Sequence, residues 1–191
     1  MTDRVQTSWL RRLRVRLAAS AGVAAAMALG LWMKVEDARA PLAPPVLAPG
    51  QPIDLGRVRI TPLTLALAPP KRDGEPRRLL LRARLLNLTG ETQTAIFGFP
   101  SHPPRLLVGG AALPDPEVTL DRDDAPLMQL HPRLAEQVTL AWAVPPDWQP
   151  GPVELGFDRQ TFKLRDNLYG KASWLGFQPA ARVAMTPEGT P

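Results

Sequence analysis

Apolar and polar residues alternate at spacing two along several short segments of this chain. In residues 77–93, RRLLLRARLLNLTGETQ, a leucine-rich set (Leu79, Leu81, Ala83, Leu85) falls on one face and the arginines fall on the other. A helix could align some of the same leucines, so the period alone does not distinguish a helix from a strand. However, the run is short and lies between PPKRDGEP and NLTGE, which are both typical of turns. The segment is therefore predicted to be a strand.

Neighbouring segments repeat this pattern. Apolar residues alternate in VTLAWAV and VELGFD, and in RVRITPLTLAL the alternation changes phase at Pro62, which predicts a bulge or bend there. Seven to nine short strands separated by Pro, Gly and Asp turns indicate an all-β fold, an antiparallel β-sandwich. The further strand candidates are residues 94–99, 105–108, 117–120, 127–131 and 161–164.

The first forty residues follow a different pattern. RRLRVR precedes 17 uncharged residues, 17–33, so residues 1–16 are predicted to be a basic cytoplasmic N-terminus and 17–33 a single transmembrane signal-anchor helix. A cleaved signal peptide is the alternative, because ARA at 38–40 offers small residues before a cut. Pro41 would follow that cut and should obstruct it, which favours the uncleaved anchor.

Residues 34–55 include the proline-rich run APLAPPVLAPGQP. They are predicted to form an extended spacer between the anchor and a β-sandwich at 56–191 that ends in an aromatic C-terminal segment. An irregular first edge of the sandwich is the alternative.

The net charge of +5 belongs mainly to the N-terminus. Residues 1–40 hold seven basic and three acidic residues, which leaves 16 basic and 15 acidic residues in 41–191. A nucleic-acid partner would require a basic face on the folded domain, so none is expected. The predicted location is the inner membrane, with residues 17–33 in lipid and the sandwich in the periplasm or outside the cell.

The order of these segments resembles immunoglobulin-like sandwich domains of unknown function in bacterial envelope proteins. The resemblance covers about 56–165 and is carried by LGRVRITPL, by LLNLTGETQ, and by Leu130 and Pro132 followed by VTLAWAVP. The chain has HPRLAE where such domains usually have a Pro-Gly turn. The resemblance implies an extracytoplasmic scaffold or interaction domain with no catalytic residues.

Few residues are candidates for catalysis or for binding a metal or cofactor. Cysteine is absent, which removes disulfides and thiolate sites, and no cofactor is expected. Met128 and His131 suggest a copper-carrier alternative, although residues three apart on a strand point to opposite faces. Asp123 and Asp166 are the carboxylates that an envelope hydrolase, a less favoured alternative, would use.

The aromatic C-terminal segment is the least generic part of the chain. Aromatic and polar residues cluster there within thirteen positions, and aromatics beside arginine are typical of interface anchors. Alternatively, these aromatics close one end of the sandwich. The expected function is that of a non-enzymatic accessory or scaffold module that binds another envelope protein, through Arg165, Asp166, Asn167, Tyr169, Trp174 and Phe177.

Overall fold

A computed structural model describes residues 20, 22–36, 43–70, 74–165 and 170–189. The chain divides into two compact units, Met1–Leu42 and Ala43–Pro191. The first unit contains a helix over residues 22–36, in which Trp32 Nε1 donates a hydrogen bond to Glu36 Oε2 at 3.3 Å. No helix within the described residues is long and apolar enough to cross a membrane. Residues 17–19 and 21 of the predicted anchor lie outside the described residues.

The second unit is an all-β sandwich of two five-stranded sheets. The strands in the described part of the chain are β1 (Val46–Leu47), β2 (Ile53–Asp54), β3 (Val58–Ala68), β4 (Arg78–Asn87), β5 (Arg105–Val108), β6 (Ala111–Ala112), β7 (Glu117–Leu120), β8 (Ala135–Ala143), β9 (Val153–Lys163) and β10 (Ser173–Met185). The first sheet has the order β2-β3-β4-β8-β7 and the second has the order β1-β10-β9-β5-β6. Pairing is antiparallel except between β1 and β10, which run parallel.

The core lies between the sheets and follows the alternation of the sequence. On β4 the apolar face is buried, while Arg82 and Arg84 on the other face are exposed. Two of the arginines on this outer face have acidic partners on β7 and just beyond it: Arg78 pairs with Glu117, and Arg82 pairs with Asp121. The largest fully buried side chains include Trp142 of β8 and Phe157 of β9, one from each sheet.

The alternating strands are confirmed, including the irregularity at Pro62. The register of β3 against β4 shifts between Pro62 and Thr64, so Leu63 is the extra residue of a bulge and remains 38% exposed. The candidates at 105–108 and 117–120 are also confirmed, and 161–164 largely belongs to the longer strand β9.

Two strand predictions are wrong. Residues 94–99 form turns, and 127–131 contributes only one isolated bridge, between Leu130 and Gln93. These segments contain or adjoin Gly98, Pro126 and Pro132, which interrupt a ladder of backbone hydrogen bonds.

The boundary of the sandwich at residue 56 is also corrected. Both β1 and β2 lie within 34–55, the range predicted to be a spacer, and Ile53 and Leu55 are buried in the core. Two-residue strands are too short to show a period of two, so the prolines around them dominated the pattern. The alternative of an irregular first edge describes residues 46–55 better.

Candidate functional site

The hairpin of β9 and β10 extends past its neighbours in the second sheet. Strand β5 pairs with β9 only at 154–156, and β1 pairs with β10 only at 182–183. Beyond these positions the two strands continue as a ribbon, paired with each other as far as Lys163 and Ser173. In the described part of the chain, no third strand pairs with the ribbon, although Gln160 N donates one hydrogen bond to the oxygen of Leu55 at 3.1 Å.

A bulge places the aromatic residues of the ribbon on one face. Trp174 pairs with Phe162 and Phe177 pairs with Gln160. Between these two pairs β10 advances by three residues, whereas β9 advances by two. The extra residue brings Trp174 and Phe177 to the same face although they are three positions apart. The rings of Phe162 and Trp174 lie 5.1 Å apart, as expected for residues paired across two strands.

Arg57 lies against this aromatic face. Its guanidinium carbon is 4.8 Å from the centre of the Trp174 ring, a cation–π distance. Arg57 Nε donates to Gln160 Oε1 at 3.1 Å, and Nη1 donates to Gln93 Oε1 at 3.2 Å. Burial lowers the pKa of Arg57 from its usual value, because desolvation disfavours the charged form. Two amide oxygens and an aromatic ring therefore fix the arginine that supports Trp174.

Glycine at position 56 permits this close packing. Gly56 has φ +96°, and a Cβ there would clash with the backbone oxygen of Gln160 and would lie 3.0 Å from Cζ3 of Trp174. Asp54 Oδ1 accepts a hydrogen bond from Gly56 N at 2.7 Å, which holds the turn. Only glycine fits both the backbone conformation and the contact with the ribbon.

The turn after β4 is fixed from within by Asn87, which is fully buried. Its Nδ2 donates to the oxygens of Glu91 and Leu130, at 2.8 and 2.9 Å, and its Oδ1 accepts from the backbone nitrogen and the hydroxyl of Thr89, both at 2.8 Å. Gln93 Nε2 donates to the hydroxyl of Thr89 at 2.9 Å and links this turn to Arg57. The turn is therefore rigid where it faces the ribbon.

An open groove of about 660 Å³ lies between the Asn87 turn and the ribbon. One wall is aromatic and the other is polar. Phe162 is 47% exposed, and Trp174 is half-buried. The residues that line the groove are Gly56, Leu88, Thr89, Gly90, Glu91, Gln93, Phe162 and Trp174.

A second cluster lies beside Phe177. His102 stacks on the ring of Phe177 with centroids 4.5 Å apart, and its Nε2 lies 2.7 Å from Asp158 Oδ2. Arg105 Nη2 also contacts Asp158, at 2.9 Å from Oδ2 and 3.2 Å from Oδ1. The Asp158 side chain is only 7% exposed, so this carboxylate joins β9 to β5 and to the loop before β5.

Of the six predicted partner-binding residues, the three that the structure describes do not form one cluster. Trp174 and Phe177 face the chain's own Arg57 and His102, whereas Arg165 is exposed beyond the end of β9. Three of the six, Asp166, Asn167 and Tyr169, lie outside the described residues.

Sequence reasoning missed Arg57, Gln93 and Gln160, which hold Trp174 in place. Arg57 and Gln160 are 103 positions apart, and no local pattern connects them.

The described residues of the copper-carrier and hydrolase alternatives have surroundings typical of a protein surface. Met128 is 74% exposed, and His131 places Nδ1 3.2 Å from the hydroxyl of Thr92 and Nε2 3.4 Å from Gln129 Nε2. Asp123 contacts Arg122 and accepts a hydrogen bond from Ala125 N, as in a surface turn. Within the described residues, no group of three or more His, Asp or Glu side chains could hold a metal ion.

Comparison with solved structures finds one similar protein. The chain is similar to an uncharacterized beta-sandwich protein from Clostridium difficile 630, at 11% sequence identity and with a TM-score of 0.49. The alignment covers 78% of this chain and 98% of that one. No family model and no curated protein matches the sequence.

Proposed function

We propose that this chain is a single-pass, membrane-anchored envelope protein whose β-sandwich is a non-catalytic accessory or scaffold module for another envelope protein. Arginines before the apolar run at 17–33 support an N-terminus in the cytoplasm and export of the sandwich. An immunoglobulin-like type of sandwich is part of the proposal. It is supported by two mainly antiparallel sheets and by connections that cross between them after β1, β4, β6 and β8.

The observation that carries the partner proposal is the exposed apolar surface at the end of the β9–β10 ribbon. Leu164 is 83% exposed and Leu175 is 42% exposed, and Arg165 and Lys171 lie on the same end of the hairpin. Apolar side chains next to arginine are typical of protein interfaces, because they combine burial of apolar area with directed polar contacts. A partner would cover these leucines.

The test is isolation of the full-length protein from its own membranes in a mild detergent. We expect a stoichiometric partner with the unmodified protein, and we expect the Leu164→Ser/Leu175→Ser variant to lose it. Leu134→Ser is the matched control, since Leu134 is 50% exposed on a turn elsewhere in the sandwich. A protein that is recovered alone, or a partner that the double variant retains, would contradict the proposal.

A further inference from the structure

The groove between the Asn87 turn and the ribbon has the construction of a ligand site. Its aromatic wall is fixed by Arg57 beneath Trp174, and its polar wall is fixed by the hydrogen bonds of Asn87. Walls that are already rigid lose little conformational entropy when a ligand binds. The volume of about 660 Å³ is within the range of small-molecule sites.

The lining of the groove restricts the chemistry of its occupant. Phe162 and Trp174 offer two apolar rings tilted by 53° to each other, while Thr89, Glu91 and Gln93 contribute polar groups on the opposite side. Of the described residues that line the groove, Glu91 alone carries a charge. An anion would be repelled by this carboxylate, so the ligand is neutral or positively charged.

Arg57 decides between a neutral and a positively charged ligand. The negative face of an aromatic ring attracts cations, but the guanidinium of Arg57 already lies against the Trp174 ring, 4.8 Å from its centre. A second cation on the same ring would be repelled by Arg57. A neutral ligand with an apolar face and several hydroxyl groups meets no such repulsion.

We propose that this groove binds a neutral oligosaccharide. The C–H face of a pyranose ring would stack on Phe162, beside Trp174, and its hydroxyls would hydrogen-bond to Glu91 and to the turn that carries it. The groove is lined by neither of the exposed leucines of the proposed partner surface, and the proposal does not depend on that function.

The experiment is calorimetric titration of the full-length protein in a detergent without a sugar headgroup. The probes are the neutral trisaccharides maltotriose, cellotriose and N-acetylchitotriose, with choline and trigalacturonic acid as the charged comparisons. We expect one neutral trisaccharide to bind. Neither charged probe should bind at a concentration of about 10 mM, which is well above the dissociation constants of specific sites.

Variants then locate the binding. Phe162→Ala should weaken it about tenfold, because the ring loses its stacking contact. Glu91→Gln should weaken it about threefold while leaving the fold intact, since an amide is a poorer acceptor than a carboxylate. The control is Phe99→Ala, because Phe99 is 84% exposed and is not among the groove residues. This variant should bind as the unmodified protein does.

Three results would overturn the assignment. The first is that no neutral trisaccharide binds at about 10 mM. The second is that binding survives both Phe162→Ala and Glu91→Gln, and the third is that choline or the acidic sugar binds more tightly than the neutral sugars.

Discussion

Asn87 is a buried polar residue whose side-chain amide donates to Glu91 in the turn after β4 and to Leu130, and accepts from Thr89 in the same turn. Asn87→Ala would leave the oxygens of Glu91 and Leu130 and the nitrogen of Thr89 without these bonds. We expect a loss of about 2–3 kcal/mol in the free energy of unfolding, because the side-chain hydrogen bonds that Asn87 makes to Thr89, Glu91 and Leu130 are lost together, at about 0.5–1.5 kcal/mol each. Denaturant unfolding of the full chain measures it, with the exposed Gln129→Ala as control. A loss equal to that of the control would contradict this role.

Gly56 combines a positive φ with a close contact, and Gly50 allows the two effects to be separated. Gly50 has φ +83°, but a Cβ added there would have no neighbour within 4 Å, whereas a Cβ at Gly56 would meet the oxygen of Gln160. Gly50→Ala should therefore cost about 1–2 kcal/mol of stability from backbone strain alone. Gly56→Ala should cost at least about 3 kcal/mol, since overpacking adds to the strain. If thermal unfolding shows the same loss of stability for both variants, the ribbon accommodates the added Cβ at Gly56 without an energetic penalty.

At the scale of elements, Asp158 connects β9 with β5 and with the loop that carries His102. Asp158→Asn keeps the shape of the side chain but removes its charge. We expect a loss of about 1–2 kcal/mol in the free energy of unfolding, less than for a fully buried pair because Arg105 and His102 are partly exposed. The control is Asp123→Asn, at a carboxylate that is 50% exposed. If both variants unfold at the same denaturant concentration, Asp158 does not join these elements.

Strict alternation made the central strands predictable. In β4 and β8, every second residue faces the core, so the period of two appears directly in the sequence. In β10 the pattern is broken by Gly176, by Pro179 and by two register shifts, so this strand of 13 residues was predicted only as an aromatic segment. Bulges and proline also protect an exposed strand edge from pairing with other chains. These features therefore suit β10, whose outer edge pairs with β1 only at 182–183 in the described part of the chain.

The candidate site was only partly predictable for a different reason. Trp174 and Phe177 stood out by composition, but the face they share depends on the bulge between them. The contacts that hold Trp174 join three separate parts of the chain: the start of β3, the turn after β4 and the ribbon. Side chains brought together by tertiary packing leave no local period, so neither the groove nor its support by Arg57 follows from the sequence pattern.

For the whole molecule, the distribution of charge supports one orientation. The positive excess lies in the first forty residues, whereas residues 41–191 are nearly neutral. Positive charge that flanks an apolar run is retained on the cytoplasmic side of a membrane. The sandwich would then be exported on either reading of the N-terminus. An anchor keeps the chain on the membrane, whereas cleavage after Ala40 releases the sandwich.

Pro41 allows the anchor and the cleaved signal to be distinguished. If proline after ARA obstructs cleavage, the unmodified protein should remain in the membrane through alkaline extraction, with its intact mass of 20.9 kDa. Pro41→Ala should then be cleaved after Ala40 and should release residues 41–191, because the small residues before the cut become usable. Pro45→Ala is the matched control and should stay intact, since it leaves the residues around the cut unchanged. Recovery of the unmodified protein as residues 41–191 free of the membrane would show that the segment is a signal peptide. The interaction with a partner would then require affinity alone, without the local concentration that a shared membrane provides.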